Sequence, residues 1–220
     1  MLRISVFILF TIVIAGGLAL AIFNDRYQII DTVQKRLLTS TQSLRGEACF
    51  EALLERNIKF MKLGKAGSDK CPILDAVEIK KLPNTSMSGA VTLNCNTALN
   101  LADWLEEIKA NEVQHMGSYN CRKISGTDIW SQHSFGTAVD ISAINGASLK
   151  EDWFKDNTKG AYLREAATVA CDYFANVLTP DYNKAHYDHF HLDHGPRYSS
   201  CDPEWYTFLR MQYRRFKTFF

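Results

Sequence analysis

Two short stretches of this 220-residue chain combine strand-like alternation with a concentration of imidazoles and carboxylates. The stretch nearer the C-terminus is Asp188–Asp193. Its polar and apolar residues alternate, which predicts a β-strand. Side chains two apart on a strand point to the same face, so His189 and His191 would share a solvated face with the final aspartate. Phe190 would then enter the core. Neighbouring imidazoles on such a face indicate a metal ligand pair better than they indicate packing.

The first stretch has the sequence SQHSFGTAVD and continues into a second alternating segment. In that segment Asp140 lies on the same face as the small residues Ala138 and Ser142, which leave room for an ion beside the carboxylate. Gly136 allows a tight backbone path and predicts a loop that folds His133 back over the strand.

Three of these side chains form a candidate ligand set. His133, Asp140 and His191 would bind one zinc ion and leave a fourth tetrahedral position for water, which is typical of catalytic sites. The two stretches match the patterns SxHxxGxAxD and HxH. Together they resemble the LAS metallopeptidases, the group that holds lysostaphin-type peptidases, D-Ala-D-Ala peptidases and the hedgehog signalling domain.

A wider set of motifs resembles one bacterial family. SYNCR at residues 118–122 precedes the first stretch, and Cys171 precedes the run HYDHFHLD. This order is similar to that of the bacterial extensin-like C-terminal domain, between Cys49 and Cys201. The resemblance implies an α+β fold with a mostly antiparallel sheet and flanking helices, like the hedgehog and D-Ala-D-Ala-peptidase domains.

Periodicity predicts the same fold class. The expected helices and strands are helices at Cys49–Met61, Asn96–Lys109 and Tyr162–Val177, and strands at Ala76–Leu82 and Glu112–Arg122.

The resemblance also indicates the groups that would act on a substrate. The endopeptidase branch of the group has the first histidine of HxH at its active site, which favours His189 as the proton-handling or oxyanion-stabilising residue. The dipeptidase branch uses a glutamate three residues before the last ligand, and Asp188 stands there as a shorter second candidate. Asp193 and His186 are candidate partners for the ligand histidines, which usually donate their other N–H.

Arg122 follows Cys121 in a CR pair that, by the same resemblance, would bind a substrate carbonyl or carboxylate. A guanidinium offers a fork of donors to an oxyanion, which suits this role. The alternative is a surface arginine paired with an acid.

The N-terminal part predicts export. Ile4–Phe23 is almost wholly apolar and has about the ~20 residues that a membrane helix needs, and Arg3 favours a cytoplasmic start. We therefore expect an anchor at residues 1–23, a helical stalk at 24–45 and a periplasmic domain at 46–220. A cleaved signal peptide with its site at 19–21 is the alternative for the anchor, and a flexible tether is the alternative for the stalk.

Six cysteines follow the apolar segment, and an even number in an exported chain indicates disulfides. They lack CxxC spacing, which argues against a cysteine zinc site. Pairing in sequence order closes the shortest loops and is our working hypothesis among several connectivities. The pairs would be Cys49–Cys71, Cys95–Cys121 and Cys171–Cys201.

These features together predict a zinc peptidase tethered to the inner membrane, with a periplasmic domain that cuts D-amino-acid cross-links in peptidoglycan. A D-Ala-D-Ala carboxypeptidase or dipeptidase is one alternative. A non-catalytic zinc-containing module that binds the cell wall is another. The net charge of +1 does not suggest a nucleic-acid partner.

Overall fold

The computed structural model describes residues 46–196. No helix in this range is long and apolar enough to cross a membrane. The predicted anchor at 1–23, the predicted stalk at 24–45 and the C-terminal part from residue 197 lie outside the described residues. Both histidine-containing stretches lie within them.

Residues 46–196 form an α+β domain, as predicted. Its α-helices are α1 at residues 46–55, α2 at Cys95–Glu107, α3 at Leu149–Asp152 and α4 at Thr158–Tyr173. Its strands are β1 Lys59–Ser68, β2 Cys71–Lys81, β3 Ser86–Met87, β4 Val91–Asn94, β5 Glu112–Gly117, β6 Ala138–Ile144, β7 Ala147–Ser148, β8 Asn176–Leu178 and β9 Phe190–Asp193. Short 3-10 helices cover Gln132–Phe135 and Lys184–His186.

The strands form two sheets. One is antiparallel with the order β1-β2-β4. The other has the order β3-β5-β6-β9-β8, with β7 paired to β6, and only its β3–β5 pair is parallel among the described pairs. The prediction of a mostly antiparallel sheet is therefore confirmed, with one short parallel pair added.

Strands β6 and β9 pack one face into the core and leave the other face for the candidate site. Val139 and Ile141 of β6 are buried, as are Phe190 and Leu192 of β9. These side chains belong to one apolar cluster with α2 and α4, whose packing is tied by a hydrogen bond from the Trp104 indole to a carbonyl of α4. Because strand side chains alternate, the intervening polar residues of β6 and β9 meet on the opposite face.

Helix α2 shows why its prediction was accurate. Asn94 caps the helix by accepting a hydrogen bond from the Asn96 N–H, and Leu101 and Leu105 are buried on its inner face. The helix ends at Glu107, shortly before Lys109 takes a left-handed conformation with φ of 54°.

Four boundary predictions were wrong, and one of them is the strand expected over Ala76–Leu82, which runs from Cys71 to Lys81. The helix expected over Cys49–Met61 ends at residue 55, because Asn57 turns the chain with φ of 55° and β1 then pairs with β2. The helix expected over Tyr162–Val177 ends at Tyr173, and the last residues of that range enter β8, which pairs with β9. The strand expected over Glu112–Arg122 ends at Gly117.

Two of the three disulfide pairs predicted in sequence order, Cys49–Cys71 and Cys95–Cys121, were also wrong. The structure joins Cys49 to Cys95 and Cys71 to Cys121, with Cα–Cα distances of 6.2 and 5.6 Å. Closing a longer loop costs only slightly more entropy than closing a short one, so packing decides the partners. Cys171 is also disulfide-bonded, and its predicted partner, Cys201, lies outside the described residues.

Candidate metal centre

Three separate elements bring the candidate ligands together. His133 belongs to the 3-10 helix Gln132–Phe135, Asp140 to β6 and His191 to β9. Asp140 and His191 are direct partners in the β6–β9 register. One donor atom from each of the three residues lies within 4.8 Å of the others, so the group could hold a metal ion.

The turn that carries His133 depends on its neighbours. Ser131 caps the 3-10 helix by accepting from the His133 N–H, and Gly136 ends it with φ of 65°. A Cβ atom on Gly136 would lie 2.8 Å from Ile73 and 2.9 Å from the Asn94 nitrogen, so a larger residue does not fit. The expected tight backbone path at Gly136 is therefore confirmed.

The three side chains point at one another. The Nε2 atom of His133 lies 3.1 Å from Asp140 Oδ2, and the Nδ1 atom of His191 lies 2.9 Å from Asp140 Oδ1. The same two ring nitrogens are 3.1 Å apart. His133 is only 3% exposed and His191 only 8% exposed, so little water reaches these atoms.

The outer nitrogen of each imidazole is held by an acceptor. The Nδ1 atom of His133 contacts the Ser118 carbonyl, and the Nε2 atom of His191 lies 2.9 Å from Asp193 Oδ2. A carbonyl and a carboxylate accept hydrogen bonds, so the outer nitrogens carry the hydrogens. In their neutral forms both rings then direct a lone pair towards Asp140, an arrangement that requires a cation or a proton between them.

The electrostatics of the metal-free cluster favour a proton there. Burial lowers the pKa of His191, but hydrogen bonds to Asp140 and Asp193 outweigh it and raise the pKa to about 9. Burial also raises the pKa of Asp140, whereas hydrogen bonds from His133 and His191 hold that pKa well below its usual range. A metal ion would replace this proton, because ligating imidazoles must be neutral.

The donor set selects among metal ions. Two imidazoles with one carboxylate suit a transition metal such as zinc, whereas calcium and magnesium prefer shells made only of oxygen. The outer acceptors at Ser118 and Asp193 provide the second layer of contacts that metal-bound histidines usually have. The residues present therefore fit a metal ion of this kind.

His189 lies beside the cluster and outside its ligand set. Its Nε2 atom is 3.8 Å from Asp140 Oδ1, and its Nδ1 atom is 2.8 Å from Asp188 Oδ1. Asp188 thus orients His189 and does not reach the cluster directly. The prediction that His189, His191 and Asp193 share a solvated strand face was wrong in part. His191 and Asp193 are buried, and β9 begins only at Phe190, after His189.

His186 contributes a fourth imidazole to this region. Its ring centre is 5.3 Å from that of His189 and 5.8 Å from that of His191. Its Nδ1 atom contacts Asn183 Oδ1 at 2.8 Å, so of the two predicted partners of the ligands only Asp193 binds His191. Burial, followed by the positive charges of the two neighbouring rings, lowers the pKa of His186 to about 4. His186 is therefore neutral near pH 7.

Arg122 lies in a loop. Its backbone is hydrogen-bonded to the ligand turn, the segment 131–136 that carries His133. Its N–H donates to Ser134 Oγ at 3.0 Å, and its carbonyl accepts from the Ser131 N–H at 3.1 Å. The guanidinium is exposed and makes no hydrogen bond or ion pair within residues 46–196. Within residues 46–196, Arg122 therefore does not form the ion pair with an acid that was the alternative prediction.

Two contacts that position the histidines were not predicted from the sequence. One is made by the Ser118 carbonyl, which is a backbone group. The other is made by Asn176, which donates to Asp193 Oδ1 at 2.8 Å and lies on β8, where a helix was predicted. Only the position of SYNCR ahead of the first stretch pointed towards the former.

The fold and site define an α+β protein with a buried His-Asp-His group that could hold a metal ion. The model of the extensin-like protein C-terminus family matches residues 47–202. The chain belongs to this family, as its motifs predicted. No curated protein and no solved structure matches the chain.

Proposed function

We propose that the chain is a zinc peptidase of the LAS group that cleaves peptide bonds in peptidoglycan. The observation that carries the proposal is the convergence of His133 Nε2, His191 Nδ1 and the Asp140 carboxylate, with both outer ring nitrogens held by acceptors. A zinc ion held by these residues supplies Lewis acidity towards a peptide carbonyl and lowers the pKa of water.

His189 is placed to move a proton next to this centre. Asp188 accepts from the Nδ1 side of His189, which leaves the Nε2 atom to accept a proton on the side of Asp140. The carboxylate of Asp188 also stabilises the imidazolium that forms when His189 gains a proton. His189 is therefore the proposed proton-handling residue and Asp188 its orienting partner.

Arg122 is proposed to bind the substrate. Its backbone is fixed to the ligand turn through Ser134 and Ser131, while its guanidinium has no partner within residues 46–196. A guanidinium with unused donors can bind a carbonyl oxyanion or a terminal carboxylate through two parallel hydrogen bonds. The same geometry supports the alternative of a D-Ala-D-Ala carboxypeptidase, whose substrate ends in a carboxylate.

The proposed location is the periplasmic face of the inner membrane. The predicted anchor at residues 1–23 motivates the tether, and the two described disulfides suit an oxidising compartment. Peptidoglycan peptides are the substrate class that this location and the resemblance to LAS peptidases imply.

Digestion of purified peptidoglycan by the full chain in mild detergent tests the proposal. New uncrosslinked peptides in the mass spectrum would indicate an endopeptidase, whereas loss of terminal D-Ala would indicate a carboxypeptidase. Chelator should abolish the products and added zinc should restore them. Binding to peptidoglycan with no product under any metal condition would instead identify a non-catalytic module.

A further inference from the structure

We propose that the SYNCR segment, residues 118–122, is the positioning element that keeps His133 in its metal-binding form. The segment supplies the Ser118 carbonyl that contacts His133 Nδ1. Because a carbonyl only accepts hydrogen bonds, this contact places the ring hydrogen on Nδ1. The Nε2 lone pair then faces Asp140 and His191.

One side of the segment is held by the three-stranded sheet. The Thr92 N–H of β4 donates to Ser118 Oγ at 3.0 Å. The Tyr119 hydroxyl donates to the Cys71 carbonyl at 3.0 Å and accepts from the Ser68 N–H at 3.1 Å. The Cys71–Cys121 disulfide adds a covalent link from the first residue of β2. The sheet therefore fixes the position of the Ser118 carbonyl.

The other side of the segment is held by the ligand turn itself. Ser134 is fully buried, and its Oγ accepts from the Arg122 N–H at 3.0 Å. The single hydrogen of the Ser134 hydroxyl is shared between the Arg122 carbonyl at 2.7 Å and the Asn120 carbonyl at 3.1 Å. The Asn120 N–H donates to the His133 carbonyl at 3.2 Å. These contacts join the segment to the residue next to the ligand.

Loosening either side would release the Ser118 carbonyl from His133. The ring could then carry its hydrogen on Nε2, and a protonated Nε2 cannot bind a metal ion. Removing the partner that orients a ligand histidine typically lowers metal affinity about 10- to 100-fold. Because the metal centre belongs to the proposed function, the inference rests on that centre, although it does not depend on peptide hydrolysis.

The test measures zinc affinity of the full chain by competition with a chromophoric chelator. The first pair of variants is Cys71→Ala/Cys121→Ala and its control Cys49→Ala/Cys95→Ala. The two disulfides span 50 and 46 residues, so their removal releases nearly the same loop entropy. The control disulfide joins α1 to the start of α2 and has no hydrogen bond to residues 118–122 among the described contacts.

The second pair of variants is Ser134→Ala and its control Thr85→Val. Thr85 is also buried, and its hydroxyl donates to the Ala110 carbonyl at 2.6 Å, away from the ligand turn. The expected result is a fall in zinc affinity of about tenfold or more for the variants at Cys71/Cys121 and Ser134, and no change for either control. If the double-cysteine variant does not fold, the pair at Ser134 and Thr85 decides the question.

A second readout is the tautomer of His133 in the metal-free protein, from ring ¹⁵N shifts in NMR spectra. The wild type should carry a hydrogen on Nδ1, and Ser134→Ala should gain the form whose only ring hydrogen is on Nε2. Equal affinities and equal tautomers in Ser134→Ala and Thr85→Val would overturn the inference alone. A wild type that binds no zinc would overturn the proposed metal centre as well. If the variants lose zinc affinity as expected but the wild type does not cleave peptidoglycan, only the proposed activity would be overturned.

Discussion

The buried carboxylate of Asp193 offers a sharp perturbation of the ligand His191. Asp193 Oδ2 lies 2.9 Å from His191 Nε2, while Oδ1 accepts from the Asn176 side chain at 2.8 Å and from the Gly195 N–H. Asp193→Asn keeps the size of the side chain but leaves a single acceptor oxygen. The two donors at Oδ1 hold that oxygen in place, so the new amide NH₂ faces the N–H of His191.

The size of the effect follows from these contacts. Two donors cannot share a hydrogen bond, and a hydrogen bond to a charged group contributes about 1.5–3 kcal/mol to stability. His191 can recover the contact by moving its hydrogen to Nδ1, but Nδ1 is the atom that lies 2.9 Å from Asp140 inside the cluster. Either outcome weakens ligation, and this energy corresponds to a fall in zinc affinity of about 10- to 150-fold.

Competition with a chelator at pH 7 measures this change, with Asp188→Asn as the matched control. Asp188 contacts His189, which lies outside the ligand set, so the control should keep the zinc affinity of the wild type. Circular dichroism of the metal-free variants checks that both fold. Zinc affinity of Asp193→Asn equal to that of the wild type would refute the assignment of Asp193 as the residue that orients His191.

The other predictions concern the ligands, the proton and the disulfides. His191→Ala should lose zinc and activity together, whereas His189→Ala should keep zinc and lose about 100-fold or more of the turnover, and the reverse pattern in metal analysis would contradict the ligand assignment. Because the pKa of His191 is about 9, zinc binding at pH 7 should release about one proton, which calorimetry in buffers of different ionisation enthalpy detects as a buffer-dependent heat. Because this pKa is raised, protonated His191 stabilises the chelator-treated protein fully below pH 6.5, and this contribution to the free energy of unfolding is lost as the pH rises through about 9. Denaturant midpoints that do not fall between these pH values would contradict the prediction. Thiol labelling of the unfolded, unreduced protein should find essentially no free thiol, and labelling at six sites would contradict the disulfides.

Local patterns predicted the strands that carry the candidate site. Burial of Val139 and Ile141 on one side of β6, and of Phe190 and Leu192 on one side of β9, imposes the period of two that is visible in the sequence. The paired motifs also predicted the family. Helix α2 could be placed because apolar periodicity is a local feature of the sequence.

Contacts between distant residues were not predictable in this way. Residues 176 and 177 were predicted as the end of a helix, yet they belong to β8 because β9 offers them a pairing edge. The disulfide partners of Cys49 and Cys71 depend on which elements pack together, and sequence distance carries little of that information.

The sequence by itself determined which residue types could bind a metal and which faces of β6 and β9 enter the core, because hydrophobic periodicity records burial one element at a time. Only the tertiary structure decided that the Ser118 carbonyl holds the outer nitrogen of His133, and that Asp193 and not His186 holds that of His191. The Ser118 carbonyl is a backbone group common to every residue type, and Asn176, which donates to the Asp193 carboxylate that contacts His191, lies on the neighbouring strand β8. Such contacts exist only after the β6–β9 register and the Cys71–Cys121 link have brought distant segments together.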